Sequence, residues 1–197
     1  MANIVERARD LARVKHASFH LFDEGRSPMF EHISEVAELV SSQGGSPEMI
    51  AAAYLHDIVE DTDVTLQQVE ELFGSAVRAL VDGLTDPERF EPMPLQQRKA
   101  LQAERIRGLP DEVKRIKLCD QLSNVGRVLA KPPTDWSLAT QWEYIAGARQ
   151  IVLECRGLWP QLDARFDEAY ARAQEKFAQA DRQRGSGQPH PTATGAW

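Results

Sequence analysis

Long apolar runs and segments of alternating β-branched residues are both missing from this sequence. No apolar run approaches the roughly 20 residues that a membrane-spanning helix needs. The N-terminal stretch MANIVERARDLARVKHASFH also lacks the apolar core of a secretory signal. Apolar residues instead recur at helical spacing along most of the chain, which predicts an all-α fold.

Cysteine is also scarce, and acidic residues outnumber basic ones. The two cysteines, Cys119 and Cys155, give no disulfide framework and fit a reducing compartment. Lys and Arg number 23 against 30 Asp and Glu, for a formal net charge of −7. Nucleic acids and acidic membranes both attract proteins with a positive field, so neither is an expected partner. We expect a cytoplasmic protein whose anionic ligands are held by local basic groups or by a metal.

The length of 197 residues suits a single domain. We predict one helical domain over residues 1–182 and a disordered tail over 183–197, where the composition becomes rich in Gly, Pro and polar residues. Helices are predicted over Asn3–Leu21, Met29–Ser42, Pro47–Asp61, Thr65–Phe73, Ser75–Thr85, Pro94–Arg107, Pro110–Ala130, Asp135–Arg156 and Trp159–Arg182.

The stretch YLHDIVEDTDVT, residues 54–65, places one histidine and four carboxylates within twelve residues. In the predicted helix His56 and Glu60 lie one turn apart, opposite an apolar stripe, and Asp61 follows at the end. Carboxylates near a helix C-terminus are destabilising by about 0.3 to 1 kcal/mol each unless a cation compensates. No Lys or Arg occurs between Arg26 and Arg78, so the compensation must come from elsewhere in the fold or from a metal.

A divalent metal is one interpretation of this cluster. His56 and Asp57 offer nitrogen and oxygen donors that suit Mn²⁺, Fe²⁺, Co²⁺ or Zn²⁺. Further ligands are available in His32, within FEHISEV, and in Asp120, within KRIKLCDQLSNV. On the helix predicted for the second segment, Lys117, Asp120, Asn124 and Arg127 share one stripe.

Structural interpretations of the same residues remain open. A His-Asp dipeptide is common, and an acidic helix face is usually just solvated. Lys117 and Asp120 have the spacing of an ordinary i,i+3 surface pair. His32 has the pattern of a lone surface histidine, and we expect His16 and His20 on a polar helix face.

The motif H…HDxxED…D resembles that of the HD phosphohydrolase superfamily. The segments AAYLHDIVEDTDVTLQQVEELFGSAVRALVDGLTD and QQRKALQAERIRGLPDEVKRIKLCDQLSNV are similar to the hydrolase domain of RelA/SpoT-type proteins, including small alarmone hydrolases. The resemblance covers roughly residues 5–157. It implies a single-domain HD-type helical bundle that removes the 3′-pyrophosphate of guanosine tetra- or pentaphosphate.

The resemblance also implies roles for individual residues. The implied ligands of one Mn²⁺, or of another divalent transition metal, are His32, His56, Asp57 and Asp120. Glu60 and Asp61 would form the catalytic acidic pair that handles the attacking water. The candidate substrate-binding residues are Asn124, Lys117, Tyr144 and Arg26, with Lys117 offsetting charge on the leaving phosphate.

Several positions depart from the family pattern and affect the expected substrate. The basic pair usual before the first metal histidine is replaced by Leu21, Phe22 and Asp23, so Arg26 is the basic residue left there. An arginine expected before the EY pair is also missing from ATQWEY. Two alternatives therefore stand beside alarmone hydrolysis. One is an HD-type phosphohydrolase for another nucleotide or phosphorylated metabolite, and the other is a non-catalytic nucleotide-binding regulatory domain. The sequence leaves the oligomeric state open.

Overall fold

A computed structural model describes residues 3–21, 23, 25–90 and 92–185. The helices are α1 (Ile4–Lys15), α2 (Met29–Ser42), α3 (Pro47–Tyr54), α4 (Ile58–Asp61), α5 (Leu66–Phe73), α6 (Ser75–Leu84), a 3-10 turn (Glu88–Phe90), α7 (Leu95–Arg107), α8 (Asp111–Ala130), α9 (Leu138–Leu153) and α10 (Pro160–Gly185). Strand-like pairing within this part of the chain is limited to two isolated bridges. The predicted all-α class is confirmed.

Local sequence signals set several helix ends where they were expected. The Ser46 hydroxyl accepts a hydrogen bond from the Met49 N–H and so caps α3. Thr65 and Gln68 form a reciprocal capping box at the start of α5. Gly74 adopts a φ of 88° between α5 and α6, a backbone conformation that glycine adopts without a steric penalty.

The predicted first helix is too long. It was expected to reach Leu21, but α1 ends at Lys15 with His16 as its C-cap. The chain then folds back, and an isolated bridge pairs His20 with Pro28 just before α2 begins. At the other terminus α10 continues through Gly185, three residues past the predicted boundary of 182. The rest of the predicted tail, residues 186–197, lies outside the described residues.

The helix predicted over Pro47–Asp61 is interrupted in its middle. Helix α3 ends at Tyr54, where the N–H of Leu55 bonds back to the Ala52 carbonyl, and α4 starts at Ile58. The intervening LHD segment contains neither glycine nor proline, so no local signal marks the break. His56 and Asp57 consequently lie in a turn between two short helices, and not on one face of a continuous helix.

Helix α8 is the central element of the bundle and contacts α2, α3, α6, α9 and α10. Its buried side chains include apolar residues such as Ile116 and Leu118 together with the polar residues Asp120, Gln121 and Ser123. Helices α1 and α2 pack against α3, while α7 packs along α9. Within the described ranges, no helix has the combination of length and apolar character needed to cross a membrane.

Candidate active site

Three separate segments of the chain meet at one point. His32 comes from α2, His56 and Asp57 from the α3–α4 turn, and Asp120 from α8. The His56 Nε2 atom lies 3.3 Å from Nε2 of His32 and 3.1 Å from Oδ2 of Asp57. Oδ1 of Asp120 lies 3.5 Å from the His32 Nε2 and 3.9 Å from the His56 Nε2. The four side chains proposed from the sequence as metal ligands are therefore brought together.

The tautomers of both histidines follow from their other hydrogen bonds. Nδ1 of His56 lies 2.7 Å from the Ala53 carbonyl, which can only accept, so Nδ1 carries the hydrogen. Nδ1 of His32 lies 2.9 Å from the Ser123 hydroxyl, which donates its own hydrogen to Glu35 at 2.8 Å. The hydroxyl therefore accepts from His32. Each neutral ring keeps its lone pair on Nε2.

This donor set fits a divalent cation. If both rings were neutral, two buried Nε2 lone pairs would face each other beside two carboxylates, an arrangement that is unfavourable unless positive charge lies between them. Burial alone would lower the pKa of His56, but the charges of Asp57 and Asp120 raise it to about 9. The site therefore favours positive charge. The mixture of imidazole and carboxylate suits Mn²⁺, Fe²⁺, Co²⁺ or Zn²⁺.

Both carboxylate oxygens of Asp120 contact other side chains of the same helix, α8. Lys117 Nζ lies 2.9 Å from Oδ2, and the Asn124 amide donates to Oδ1 at 2.6 Å. Burial opposes ionisation of Asp120, but Lys117 and the two histidines hold the pKa of this carboxyl well below its usual range. The i,i+3 pair of Lys117 and Asp120 exists as predicted. It is buried, however, and the interpretation as a surface pair is wrong.

A cavity of about 610 Å³ opens beside the four side chains. Of the residues singled out in the sequence, its wall contains His32, Asp57, Glu60, Asp61, Lys117, Asp120, Asn124 and Tyr144. His56 lies behind the wall, buried next to Asp57. Arg26 is exposed and lies outside the described lining, while apolar Leu21 and Met29 line the cavity from the same loop region. The structure therefore does not bring Arg26 to the site.

Two basic residues of α7, Arg98 and Lys99, line the cavity and were missed by the sequence reasoning. Lys99 is 4% exposed, with Nζ 3.3 Å from the Gln121 Oε1 and 4.2 Å from the centre of the Tyr144 ring. Burial, followed by the charge of Lys117, lowers the pKa of Lys99 to about 7. The sequence did contain one indication that Lys99 is buried. It lies on the same helical stripe as Ala103 and Ile106, which are also buried.

The stem of Lys99 packs against a gap in α9. A Cβ atom at Gly147 would lie 2.6 Å from Cγ and 2.7 Å from Cβ of Lys99. Helices α7 and α9 can therefore approach closely only because position 147 has no side chain. The contact fixes where the ammonium group of Lys99 enters the cavity.

Glu60 and Asp61 are neighbours in sequence but have different surroundings. The Glu60 carboxylate accepts the Asp86 N–H at 2.7 Å. Desolvation in the concave cavity, and secondly the charge of Asp57, raise the pKa of Glu60 to about 7. Asp61 instead has Oδ2 3.5 Å from Nε2 of His16.

His16 and His20 were both expected on a polar helix face, and they differ. His20 is exposed as expected, but it lies after the end of α1 and pairs with Pro28 in an isolated bridge, so the predicted helical position is wrong. His16 is 1% exposed, so the prediction is wrong for this residue. The reason is that α1 ends at Lys15, immediately before His16, and the chain then turns. The turn buries the imidazole, with its ring 5.5 Å from that of Phe19.

Comparison with known proteins agrees with this architecture. Residues 8–145 match the family model described as HD domain. The guanosine-3′,5′-bis(diphosphate) 3′-pyrophosphohydrolase MESH1 of Drosophila melanogaster is 33% identical over 161 residues, covering 81% of this chain and 88% of the relative. Human MESH1 is 35% identical over 164 residues, covering 82% and 89%.

A solved structure of a metazoan ortholog of SpoT, described as hydrolysing ppGpp, superposes with a TM-score of 0.80. The two proteins are 30% identical, and the match covers 87% of this chain and 96% of the other. The matched family model spans α2, the α3–α4 turn and α8, which supply the converging side chains. The chain therefore belongs to the HD-domain family and is similar to MESH1 proteins over most of its length.

Proposed function

We propose that this protein is a metal-dependent phosphohydrolase that removes the 3′-pyrophosphate of guanosine tetra- or pentaphosphate. The observation that carries the proposal is the convergence of His32, His56, Asp57 and Asp120 beside a cavity with basic groups on its wall. The similarity to MESH1 over most of both chains supports the choice of substrate. We further propose Mn²⁺ as the metal, with other divalent transition metals as alternatives.

The four side chains would hold the cation through two imidazole nitrogens and two carboxylates. When bound, such a cation supplies Lewis acidity, which lowers the pKa of a water molecule and polarises a phosphoryl oxygen. Contacts within the protein orient the ligand side chains before a cation binds. Ser123 and the Ala53 carbonyl fix the histidine tautomers, and Lys117 holds Asp120.

Glu60 is the proposed acceptor of the proton from the attacking water. A pKa of about 7 allows it to accept and release a proton near neutral pH. In the reaction the water oxygen forms a bond to phosphorus, and the bond to the 3′ oxygen breaks. The water proton passes to Glu60, which can return it to the leaving oxygen. Asp61 is the second proposed acidic residue, on the same wall of the cavity.

The phosphates of the substrate are the proposed partners of Arg98, Lys99 and Lys117. All three side chains line the cavity, although Lys117 already forms an ion pair with Asp120. A phosphate beside Lys99 would favour its charged form, which burial disfavours. Asn124 and Tyr144 remain proposed substrate contacts, while apolar Leu21 and Met29 offer a surface for the nucleoside.

The proposal includes a cellular location and a domain organisation. We propose a cytoplasmic protein, because both cysteines, Cys119 and Cys155, are buried free thiols that suit a reducing compartment. We also propose that the helices act as a single hydrolase domain, since central helix α8 contacts helices from both ends of the sequence, α2 and α3 as well as α9 and α10.

The deciding experiment measures pyrophosphate release from guanosine tetraphosphate with Mn²⁺ present. We expect turnover that is lost on chelation and in Asp57→Ala, and retained in the control Asp10→Ala, which removes an exposed carboxylate on α1. Cleavage of other nucleotides, but not of guanosine tetraphosphate, would show that this protein is a phosphohydrolase with a different substrate. Metal binding without cleavage of any phosphate ester would support the regulatory domain and overturn the proposal.

A further inference from the structure

His16 at the end of α1 has one fully defined hydrogen bond. Its Nδ1 lies 3.0 Å from the carbonyl of Ala12, one turn earlier in the same helix. A carbonyl oxygen only accepts hydrogen bonds, so Nδ1 carries a hydrogen. If the ring is neutral, Nε2 therefore bears a lone pair.

The opposite nitrogen of His16 faces a carboxylate from another segment. Nε2 is buried and has no hydrogen-bond partner within the part of the chain that the structure describes. Oδ2 of Asp61, the last residue of α4, lies 3.5 Å away. A lone pair and a carboxylate oxygen both accept, so this contact is unfavourable unless one proton lies between them. An imidazolium facing a carboxylate and a neutral ring facing a carboxylic acid both provide that proton.

We propose that His16 is a positioning residue that holds Oδ2 of Asp61 through a shared proton and leaves the other oxygen to the cavity. The inference rests on the function proposed above. Asp61 needs such a support because α4 has four residues and Asp61 is its last. Its side chain is 33% exposed and lies in the cavity wall. Without His16 the carboxylate would be free to rotate into solvent.

This contact gives the two acidic residues separate supports. Glu60 is held by the N–H of Asp86, from the segment that follows α6. Asp61 is held from α1, although none of the α1 residues is among those that line the cavity in the described part of the chain. Helix α1 would therefore contribute to catalysis through a residue that does not touch the substrate.

Two amide substitutions separate positioning from simple packing. The amide nitrogen of glutamine can occupy the place of His Nε2, whereas that of asparagine can occupy the place of Nδ1. His16→Gln therefore retains a donor toward Asp61, and His16→Asn retains only the bond to Ala12. With guanosine tetraphosphate and Mn²⁺ we expect His16→Asn to lower kcat on the order of 10- to 100-fold with little change in KM. His16→Gln should keep clearly more of the activity.

The control is His20→Asn, which changes an exposed histidine of the same segment and should leave kcat unchanged. A double-mutant cycle of His16→Asn with Asp61→Asn should be non-additive in kcat, because both substitutions remove the same contact. Equal losses in His16→Gln and His16→Asn, no loss in either, or additive effects in the cycle would overturn the inference.

Failure of the proposed function is distinguished by the wild-type protein. If it cleaves no phosphate ester, that function fails, and the same cycle is then measured by urea unfolding. Coupling between the two substitutions would support the shared proton, whereas additive changes in the free energy of unfolding would overturn it.

Discussion

The Ser123 hydroxyl lies 2.9 Å from Nδ1 of His32, although 91 residues separate the two in the sequence. The same hydroxyl donates to Glu35 at 2.8 Å, and Glu35 lies 3.2 Å from the guanidinium of Arg127. This chain of contacts joins α2 to α8 behind the candidate metal site. It keeps the His32 Nε2 free of hydrogen and directed toward Asp120.

Ser123→Ala is expected to weaken metal binding. The substitution leaves Nδ1–H of His32 without its acceptor, so the ring can turn or change tautomer. The affinity for Mn²⁺ should fall about 10- to 100-fold, as for other residues that orient metal ligands. Titration calorimetry of the metal-free protein measures this directly. Ser42→Ala is the control, because Ser42 lies on the same helix as His32 but donates to the Leu39 carbonyl and accepts from the Gln43 amide. Equal Mn²⁺ affinity in both variants would contradict the role of Ser123.

Asp57→Ala is expected to abolish Mn²⁺ binding while the helical circular dichroism persists. Its carboxylate lies 3.1 Å from the His56 Nε2, but the side chain is 22% exposed at the cavity and leaves no large hole. Asp120→Ala is a poorer test, because it leaves Lys117 buried without its partner. Removing one member of a buried pair is destabilising by about 3 to 5 kcal/mol. Retained Mn²⁺ affinity in a folded Asp57→Ala protein would remove Asp57 from the ligand set.

Glu60→Gln is expected to retain the metal and slow the chemical step. Only the carboxylate form accepts a proton, so wild-type turnover should fall as the pH is lowered through the pKa of Glu60. That pKa is about 7, and a cation offsetting the Asp57 charge would move it lower, so the decline is expected at or below about pH 7. A pH profile of kcat for both proteins measures it. If the variant shows the same acidic decline, another group accepts the proton.

Gly147→Ala is expected to displace Lys99 in the cavity wall, although Gly147 is not itself among the lining residues in the described part of the chain. The added methyl would lie 2.6 Å from Cγ of Lys99 and would displace the lysine stem. We expect a raised KM for guanosine tetraphosphate and a loss of about 1 to 3 kcal/mol in the free energy of unfolding. Steady-state kinetics and urea unfolding measure the two effects.

Gly126→Ala is the matched control for that prediction. Gly126 is also inside a helix, but a Cβ there meets no atom within 4 Å. This substitution should stabilise the protein by about 0.5 to 1 kcal/mol, because alanine has the higher helix propensity. A normal KM in Gly147→Ala would show that the position of Lys99 does not affect substrate binding.

Much of the helical architecture could be predicted because its boundaries carry local signals. Ser46 with Pro47, and Thr65 with Gln68, mark helix starts in the sequence and cap those helices in the structure. The break at Leu55 could not be predicted, because the segment contains no helix-breaking residue. Its conformation depends on packing with other segments, which local propensity does not report.

The candidate site was predictable only in part for a similar reason. His56 and Asp57 form a recognisable motif, and the structure brings His32 and Asp120 to it, while the role of all four as ligands remains a prediction. Lys99 has no motif of its own, and its place in the cavity depends on the missing side chain at position 147. Such contacts arise from how helices pack, and single-sequence patterns do not encode them.

The convergence of α2, the α3–α4 turn and α8 has a consequence for resistance to local unfolding. An ion bound there would cross-link the N-terminal helices to central helix α8. Separating α2 from α8 would then first require the ion to leave. Chelation should therefore speed amide hydrogen exchange in both helices, linking resistance to proteolysis to the supply of metal in the cell.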